Sequence, residues 1–262
     1  MTRIPALVLR APGTNCERET AHALELAGAA PVLRHLKEVQ ADPAALDEVA
    51  LVVLPGGFSY GDDLGAGRIQ AEEIRATFLE PLCRLVERGG LVLGICNGFQ
   101  VLVKLGLLPT IDPAGAPPSV SLTWNDSGRY EDRWVHLEVT ARKSPFLARG
   151  PARLHLPVAH AEGKFVVRDA SVLDRLEAAG QVALGYVDPQ GRPAGFPWNP
   201  NGSIGHVAGI TDPSGRVLGL MPHPERNVLA GHDPRPGRAP RVGPPDGLGF
   251  FVSAVETLRG EL

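Results

Sequence analysis

A buried strand that passes through a glycine into a cysteine, and then into a helix, constrains the fold of this chain more than any other feature. Residues 91–95 form an apolar run that includes Gly94, and Cys96 and Gly98 follow before a helix-like segment. This order places the turn side chain at the carboxyl end of a strand, facing the first amides of the helix. The pattern matches the nucleophile elbow, with cysteine in the position of the serine. Glycines flank the nucleophile in this motif because larger side chains would clash in so sharp a turn. A buried structural cysteine is the alternative interpretation.

Apolar strand segments alternate with helical segments before residue 109, which predicts a mostly parallel sheet flanked by helices. The predicted strands there span residues 6–10, 31–36, 49–54 and 91–95, and predicted helices span residues 15–27, 71–88 and 97–105, with a short helix starting at residue 42. Short strands between turns follow, and they predict an added antiparallel β-rich segment. We expect a single α/β domain over residues 1–262, with a closing helix at 248–258 and a mobile loop at about 229–247.

Composition and charge argue against several classes of function. The net charge is -3, so no basic face for nucleic acid is expected. The three cysteines, Cys16, Cys83 and Cys96, suit neither a disulfide framework nor a zinc ribbon and fit a reducing cytosol. The first residues lack the apolar core of a signal peptide, and no stretch approaches the roughly 18 apolar residues of a membrane span. We therefore expect a cytoplasmic protein that binds neither nucleic acid nor membrane.

A pair of glycines follows the apolar strand at residues 49–54. Gly56 and Gly57 allow the backbone to turn its amides inward, as an oxyanion site requires. An ordinary glycine-rich turn is the alternative, because such turns are common. The position of the pair favours the oxyanion interpretation, because the carboxyl ends of parallel strands meet at one edge of a sheet.

A histidine and a glutamate follow the apolar strand at residues 217–221. His223 and Glu225 are two residues apart, so in an extended chain their side chains point to the same side. Glu225 can accept a hydrogen bond from one imidazole nitrogen while the other nitrogen faces Cys96. A cysteine nucleophile needs such a base and an orienting acceptor. A polar loop at residues 159–164 carries His160 and is either a solvated turn or a wall of the active-site mouth.

Taken together, these segments resemble the class I, triad-type glutamine amidotransferases. The shared motifs are residues 55–57, 94–100 and 222–225. Residues 57–67, 160–163 and 199–203 narrow the resemblance to the glutaminase subunits of phosphoribosylformylglycinamidine synthases, a family of purine biosynthesis. The resemblance covers nearly the whole chain, and residues 231–247 depart from it.

The resemblance implies a flavodoxin-like open sheet and a defined set of site residues. The implied catalytic residues are Cys96, His223 and Glu225, the implied oxyanion amides are those of Gly57 and Asn97, and the implied substrate contacts are Gln100, Gly56 and Phe58. Cys96 would attack the side-chain amide of glutamine, and water would release glutamate from the thioester. Gln100 lies at i+4 from Cys96, on the face towards the site, although a surface helix residue is the alternative.

The family also implies partners. The chain has no Walker-type loop and no carboxylate array for magnesium, so we expect no cofactor and no metal in this subunit. ATP and magnesium are expected in a large synthetase subunit, which is accompanied by a small third subunit. Loops at residues 59–63 and 160–164 are expected to meet the partner, and activity in isolation is expected to be low.

Three alternatives remain open from the sequence. One is an amidotransferase that serves another pathway. The second is a cysteine peptidase or related hydrolase on the same fold. The third is a binding module that retains the fold without catalysis.

Overall fold

A mixed sheet of nine strands forms the centre of the molecule in the computed structural model, which describes residues 3–111, 118–234 and 243–260. In these residues the strands are β1 (Ile4–Arg10), β2 (Ala29–His35), β3 (Leu51–Leu54), β4 (Leu91–Ile95), β5 (Val120–Thr123), β6 (Glu131–Val139), β7 (Arg153–His160), β8 (Lys164–Val167), β9 (Val182–Val187), β10 (Val207–Thr211) and β11 (Val217–Leu220). The α-helices are α1 (Glu17–Leu26), α2 (Leu36–Ala41), α3 (Arg68–Thr77), α4 (Leu79–Glu87), α5 (Asn97–Leu105), α6 (Ala170–Ala178) and α7 (Asp246–Leu258).

One half of the sheet is parallel and has the order β2-β1-β3-β4-β11. This order matches the 2-1-3-4-5 arrangement of flavodoxin-like sheets, with β11 in the fifth place. All residues of β3, β4 and β11 are buried, as expected for parallel strands covered on both faces. The predicted α/β class and its flavodoxin-like sheet are confirmed.

The other half of the sheet continues from β11 as the antiparallel strands β10-β9-β6-β7. The predicted β-rich segment therefore extends the same sheet. A separate antiparallel pair is formed by β5 and β8. These added strands matter for the site because β7 ends at His160, within the polar loop that the sequence leaves as either a solvated turn or a wall of the active-site mouth.

Helix α5 lies in the core and carries the residues that follow the cysteine. Eight of its nine residues are buried, including Phe99 and Leu102. A helix that is buried nearly all round is held by packing on several faces rather than by one apolar stripe. The start of α5 is therefore a rigid platform for the turn at Cys96.

The helix predicted over residues 71–88 is wrong in its extent, because the chain forms two helices there. Helix α3 ends at Thr77 and α4 begins at Leu79. Between them Phe78 has φ -140° and ψ 22° and buries its ring in the core. The cause lies in Pro81, whose ring would clash with the carbonyl of Thr77 in a continuous helix but is tolerated in the first turn of a new one.

Two other local predictions need correction. The short helix predicted from residue 42 is a 3-10 helix, Pro43–Glu48, and the preceding α2 was not predicted. Of the mobile loop predicted at 229–247, residues 235–242 lie outside the described residues, and the last two residues belong to α7. Among the described helices, none is long and apolar enough to cross a membrane.

Candidate active site

The residues predicted to carry chemistry follow three neighbouring parallel strands. Strand β4 pairs with β3 on one side and with β11 on the other, and Leu54 is in register with Gly94 as Leu220 is with Ile95. The three strands therefore end at one edge of the sheet. Their continuations bring Gly57, Cys96 and His223 to the same place.

Cys96 occupies a strained turn. Its backbone has φ 51° and ψ -105°, a conformation that residues other than glycine rarely adopt. Such strain persists only where the surrounding structure fixes it, and it is frequent at functional sites. Gly98 helps to hold the turn in place, because its backbone packs directly against Leu54. A Cβ at this position would lie 1.9 Å from the carbonyl oxygen of Leu54. The thiol is nearly buried and its Sγ is 3.8 Å from the carbonyl oxygen of Ala159.

His223 and Glu225 form a buried pair. Nδ1 of the imidazole is 2.6 Å from Oε1 of Glu225, and both side chains are almost fully enclosed. The backbone amide of His223 donates a hydrogen bond to the carbonyl of Pro157 in β7, which fixes the start of the turn. Burial lowers the pKa of His223, but the charges of Glu225 and Cys96 outweigh this effect. The pKa of His223 is therefore well above its ordinary value. The arrangement favours an imidazolium held between a carboxylate and the Cys96 sulfur.

Of the two residues predicted to supply oxyanion amides, one lines the cavity at Cys96 and the other follows Cys96 in the chain. Gly57 lines the same cavity as Cys96 and has φ 144°, and a Cβ at this position would meet the backbone of residues 13–15. Asn97 is the first residue of α5, where helix amides have no partner within the helix. Backbone amides in these positions can stabilise a negative oxygen.

The side chain of Asn97 connects the loop after β3 to Gln100 on α5. Its Oδ1 accepts a hydrogen bond from the amide of Ser59 at 3.2 Å. Its Nδ2 donates to Oε1 of Gln100 at 3.0 Å and lies 3.4 Å from Oδ1 of Asp62. The Nε2 of Gln100 donates in turn to the carbonyl of Glu162. These contacts hold the amide of Gln100 in one orientation.

A cavity of about 300 Å³ opens in front of the thiol. It is lined by Gly57, Phe58, Gly61, Asp62, Cys96, Gln100, Trp124, Ala159, His160, Ala161 and Glu162. The predicted substrate contacts Gln100 and Phe58 are among these residues, and Phe58 remains 42% exposed. Gly56 is not among the described residues that line the cavity. Its carbonyl instead accepts hydrogen bonds from the amides of Asn15 and Cys16.

Asp62 lines the cavity, although the sequence patterns do not predict it as a site residue. Burial, together with the nearby Glu162 carboxylate, raises the pKa of Asp62 to about 6. Residues 60–62 all have positive φ, so this loop is held in an uncommon backbone conformation. The available signal was its place in a glycine-rich loop after a buried strand.

The sequence predicts His160 only as part of a polar loop. It is buried at the end of β7, and its Nδ1 is 3.2 Å from Oδ1 of Asn125, so Nδ1 carries the proton in the neutral ring. Burial lowers the pKa of His160 to about 3, and proximity to His223 contributes. A neutral imidazole therefore stands next to the charged one.

The sequence predicts Cys16 only as part of the start of a helix. It is fully buried directly before α1, and its Sγ accepts a hydrogen bond from Nη2 of Arg226 at 3.2 Å. Cys16 reaches the site because β1 is parallel to β3, so the chain after β1 arrives at the same edge of the sheet. In the sequence the only signal is that Cys16 follows a predicted strand.

Known proteins resemble this chain over its length. The family model of the CobB/CobQ-like glutamine amidotransferase domain matches residues 3–256. The phosphoribosylformylglycinamidine synthase subunit PurQ of Dehalococcoides mccartyi is 44% identical over 260 residues, which covers 99% of each chain. The PurQ subunit of Methanococcus maripaludis is 41% identical over 232 residues, covering 87% of this chain and 84% of the relative.

A solved structure agrees with these relatives. A chain of the PurLQS structure from Thermotoga maritima has a TM-score of 0.74 to this chain at 33% identity. The match covers 98% of this chain and 100% of the other. Similarity in sequence and similarity in fold therefore identify the same group of proteins.

Proposed function

We propose that this chain, which belongs to the CobB/CobQ-like glutamine amidotransferases and among them to the PurQ subunits of phosphoribosylformylglycinamidine synthase, hydrolyses glutamine with Cys96 as its nucleophile. The observation that carries the assignment of residues is the meeting of Cys96 with the His223–Glu225 pair at one sheet edge. As a PurQ subunit the chain supplies nitrogen for a step of purine biosynthesis, in an enzyme that also contains PurL and PurS subunits.

In the first half of the proposed reaction, the thiolate of Cys96 attacks the side-chain amide carbon of glutamine. The carbonyl π electrons move to oxygen, and the amides of Gly57 and Asn97 stabilise that oxygen, each by about 3 kcal/mol. The imidazolium of His223 donates its proton to the amide nitrogen. The carbon–nitrogen bond then breaks, leaving ammonia and a γ-glutamyl thioester on Cys96.

In the second half, His223 acts as a base. The neutral imidazole takes a proton from water while the water oxygen attacks the thioester carbon. The carbon–sulfur bond breaks, glutamate leaves, and the thiolate–imidazolium pair is restored. Glu225 acts through His223, because its carboxylate orients Nδ1 and stabilises the charged ring in both halves.

Recognition of glutamine is assigned to the cavity in front of the thiol. Gln100, held by Asn97 and the Glu162 carbonyl, presents a fixed amide to the substrate, and Phe58 covers the mouth. A polar group that is already oriented costs less entropy on binding. Gly56 remains a proposed substrate contact. Its carbonyl oxygen also accepts the hydrogen bonds that hold the backbone at Cys16.

Ammonia then passes to the synthetase. We assign ATP and magnesium to the PurL partner, because the formylglycinamide ribonucleotide amide must be activated there before ammonia can attack it. The loops at residues 59–63 and 160–164 flank the cavity and are the proposed contact with the partner. The reaction is placed in the cytoplasm as part of this proposal.

The test is an assay of the assembled complex with two nitrogen sources. Cys96→Ser should abolish synthesis from glutamine and leave synthesis from ammonium salts unchanged, because only the nitrogen supply depends on the thiol. Cys83→Ser is the matched control, since Cys83 lies on α4, away from the cavity, and should keep both activities. Loss of both activities in Cys96→Ser, with the complex intact, would contradict the proposed role.

A further inference from the structure

Three consecutive residues of the loop after β3 have left-handed backbone conformations. Tyr60 has φ 56°, Gly61 has φ 67° and Asp62 has φ 56°. Residues other than glycine rarely adopt such angles, so the conformation of Tyr60 and Asp62 persists only where other contacts fix it. Gly61 and Asp62 line the cavity in front of Cys96. The contacts that hold this loop therefore shape one wall of the site.

The side chain of Tyr60 connects this loop to helix α3. Its hydroxyl donates a hydrogen bond to Oε2 of Glu73. The other carboxylate oxygen of Glu73, Oε1, accepts a hydrogen bond from Nζ of Lys37 on α2 at 2.8 Å. A hydrogen bond to an ionised acceptor is roughly twice as strong as one between neutral groups. The bond from Tyr60 to Glu73 is therefore well suited to hold a strained loop.

The protonation states of the two side chains suit this bond. Burial and, after it, the hydrogen bond and charge of Glu73 raise the pKa of Tyr60, so the phenol keeps its proton. Burial also raises the pKa of Glu73, but the hydrogen bonds from Lys37 and Tyr60 outweigh this effect and the pKa lies below its ordinary value. At neutral pH the donor is therefore protonated and the acceptor is ionised.

Helix α3 is a fixed support for this hydrogen bond. Gly67 lies directly before α3, and a Cβ at this position would lie 2.9 Å from Cγ2 of Val101 on α5, so the start of α3 packs closely against α5. Helix α5 also carries Asn97, whose side chain accepts a hydrogen bond from the amide of Ser59. The loop is thus held by α5 at Ser59 and by α3 at Tyr60.

The oxyanion residue Gly57 is held by other contacts. It pairs with Thr14 in an isolated antiparallel bridge, and the amide of Phe58 donates a hydrogen bond to the carbonyl of Gly13 at 2.9 Å. These contacts come from the segment after β1 and do not involve α3. Loss of the hydrogen bond to α3 should therefore disturb the cavity wall and leave the amide of Gly57 in place.

We propose that Glu73 is a positioning residue for glutamine binding, which acts through the hydroxyl of Tyr60. It holds Gly61 and Asp62 in the wall of the cavity. This inference rests on the proposed hydrolysis of glutamine and adds to it a residue outside the cavity lining. A wall that contacts the substrate equally in the ground state and in the transition state affects KM and leaves kcat nearly unchanged.

The test measures steady-state hydrolysis of glutamine by the assembled complex. Glu73→Ala should raise the KM for glutamine about tenfold and change kcat by less than about twofold. Glu73→Gln, whose amide oxygen still accepts from the phenol as a neutral group, should give an intermediate KM. Glu72→Ala is the matched control and should have the KM of the wild type, because Glu72 lies on the same helix and pairs with Arg75 at the surface.

A double-mutant cycle with Tyr60→Phe separates this role from general stability and from contact with the partner. Phenylalanine removes only the hydroxyl, so this variant should raise KM as Glu73→Ala does, and the double variant should be no worse than either single variant. Additive effects would overturn the proposal, as would an unchanged KM in Glu73→Ala or a loss confined to kcat. A wild-type complex that does not hydrolyse glutamine would instead refute the proposed function, so the two failures are distinguishable.

Discussion

The backbone amide of Cys96 donates a hydrogen bond of 2.8 Å to the carbonyl oxygen of Leu220. Leu220 is the last residue of β11, and Cys96 follows the last residue of β4. This hydrogen bond extends the pairing of β4 and β11 by one residue beyond the end of β4. It therefore fixes the point at which the following residues leave the sheet. The thiol and the imidazole of His223 are therefore positioned by sheet register, although 127 residues separate them in sequence.

Gly98→Ala should destabilise the fold. The added Cβ would lie 1.9 Å from the Leu54 carbonyl oxygen, and backbone cannot move aside as a flexible side chain can. We expect the free energy of unfolding to fall by at least about 2 kcal/mol, measured by denaturant titration. Gly249→Ala is the control: this glycine lies in α7 with no atom within 4 Å of the new Cβ, so alanine should raise stability by about 0.5 to 1 kcal/mol. Equal effects of the two substitutions would refute the argument.

Glu225→Gln should move the pH profile of glutamine hydrolysis. The carboxylate raises the pKa of His223, so the neutral amide should lower that pKa and shift the alkaline limb of kcat/KM to lower pH. The rate should fall about 100-fold because the tautomer and the imidazolium lose their support. Glu225→Asp, which keeps the charge, should recover part of the rate and of the profile. An unshifted alkaline limb in Glu225→Gln would show that Glu225 does not control the imidazole.

Asp62→Asn should change how stability depends on pH. The pKa of Asp62 is about 6 in the folded protein against an ordinary value of 3.8, so the folded state binds this proton more tightly than the unfolded state. Stability from this group is present below the ordinary value and is lost as pH rises towards 6. The variant does not titrate. Its stability relative to the wild type should therefore be higher at about pH 8 than at about pH 4 in thermal unfolding. Parallel pH curves for the two proteins would disprove the account.

Gln100→Leu should raise the KM for glutamine about tenfold while ammonia-dependent synthesis in the complex is unchanged. Leucine keeps the volume but loses the amide that Asn97 and the Glu162 carbonyl hold in place. Steady-state kinetics with each nitrogen source measures both effects. A tenfold loss with ammonia as well would indicate a disturbed helix α5 rather than a lost substrate contact.

The sequence predicted the parallel core because β3 and β4 are continuous apolar runs that end in glycine-rich turns or a glycine-flanked cysteine. It also predicted the family, and the relatives confirm that assignment. The convergence of Cys96 with His223 could be anticipated only from the rule that active groups gather at the carboxyl ends of parallel strands. Which strands are neighbours depends on pairing between distant segments, which local patterns do not specify.

Local patterns failed where long-range packing decides the outcome. The break at Phe78 reflects burial of an aromatic ring together with Pro81, and helical periodicity continues across it. Cys16 reaches the site only because β1 pairs with β3. The raised pKa of Asp62 results first from burial and then from the carboxylate of Glu162, which comes 100 residues later in the chain. Such neighbours are set by the assembled sheet.

The most direct measurement is the mass of the protein after reaction of the assembled complex with an electrophilic glutamine analogue. We expect one adduct per chain, located on Cys96 by peptide mapping. Cys96→Ser should carry none, and His223→Ala should form it much more slowly. An adduct on Cys16 or Cys83, or equal labelling with and without His223, would contradict the proposed nucleophile and its base.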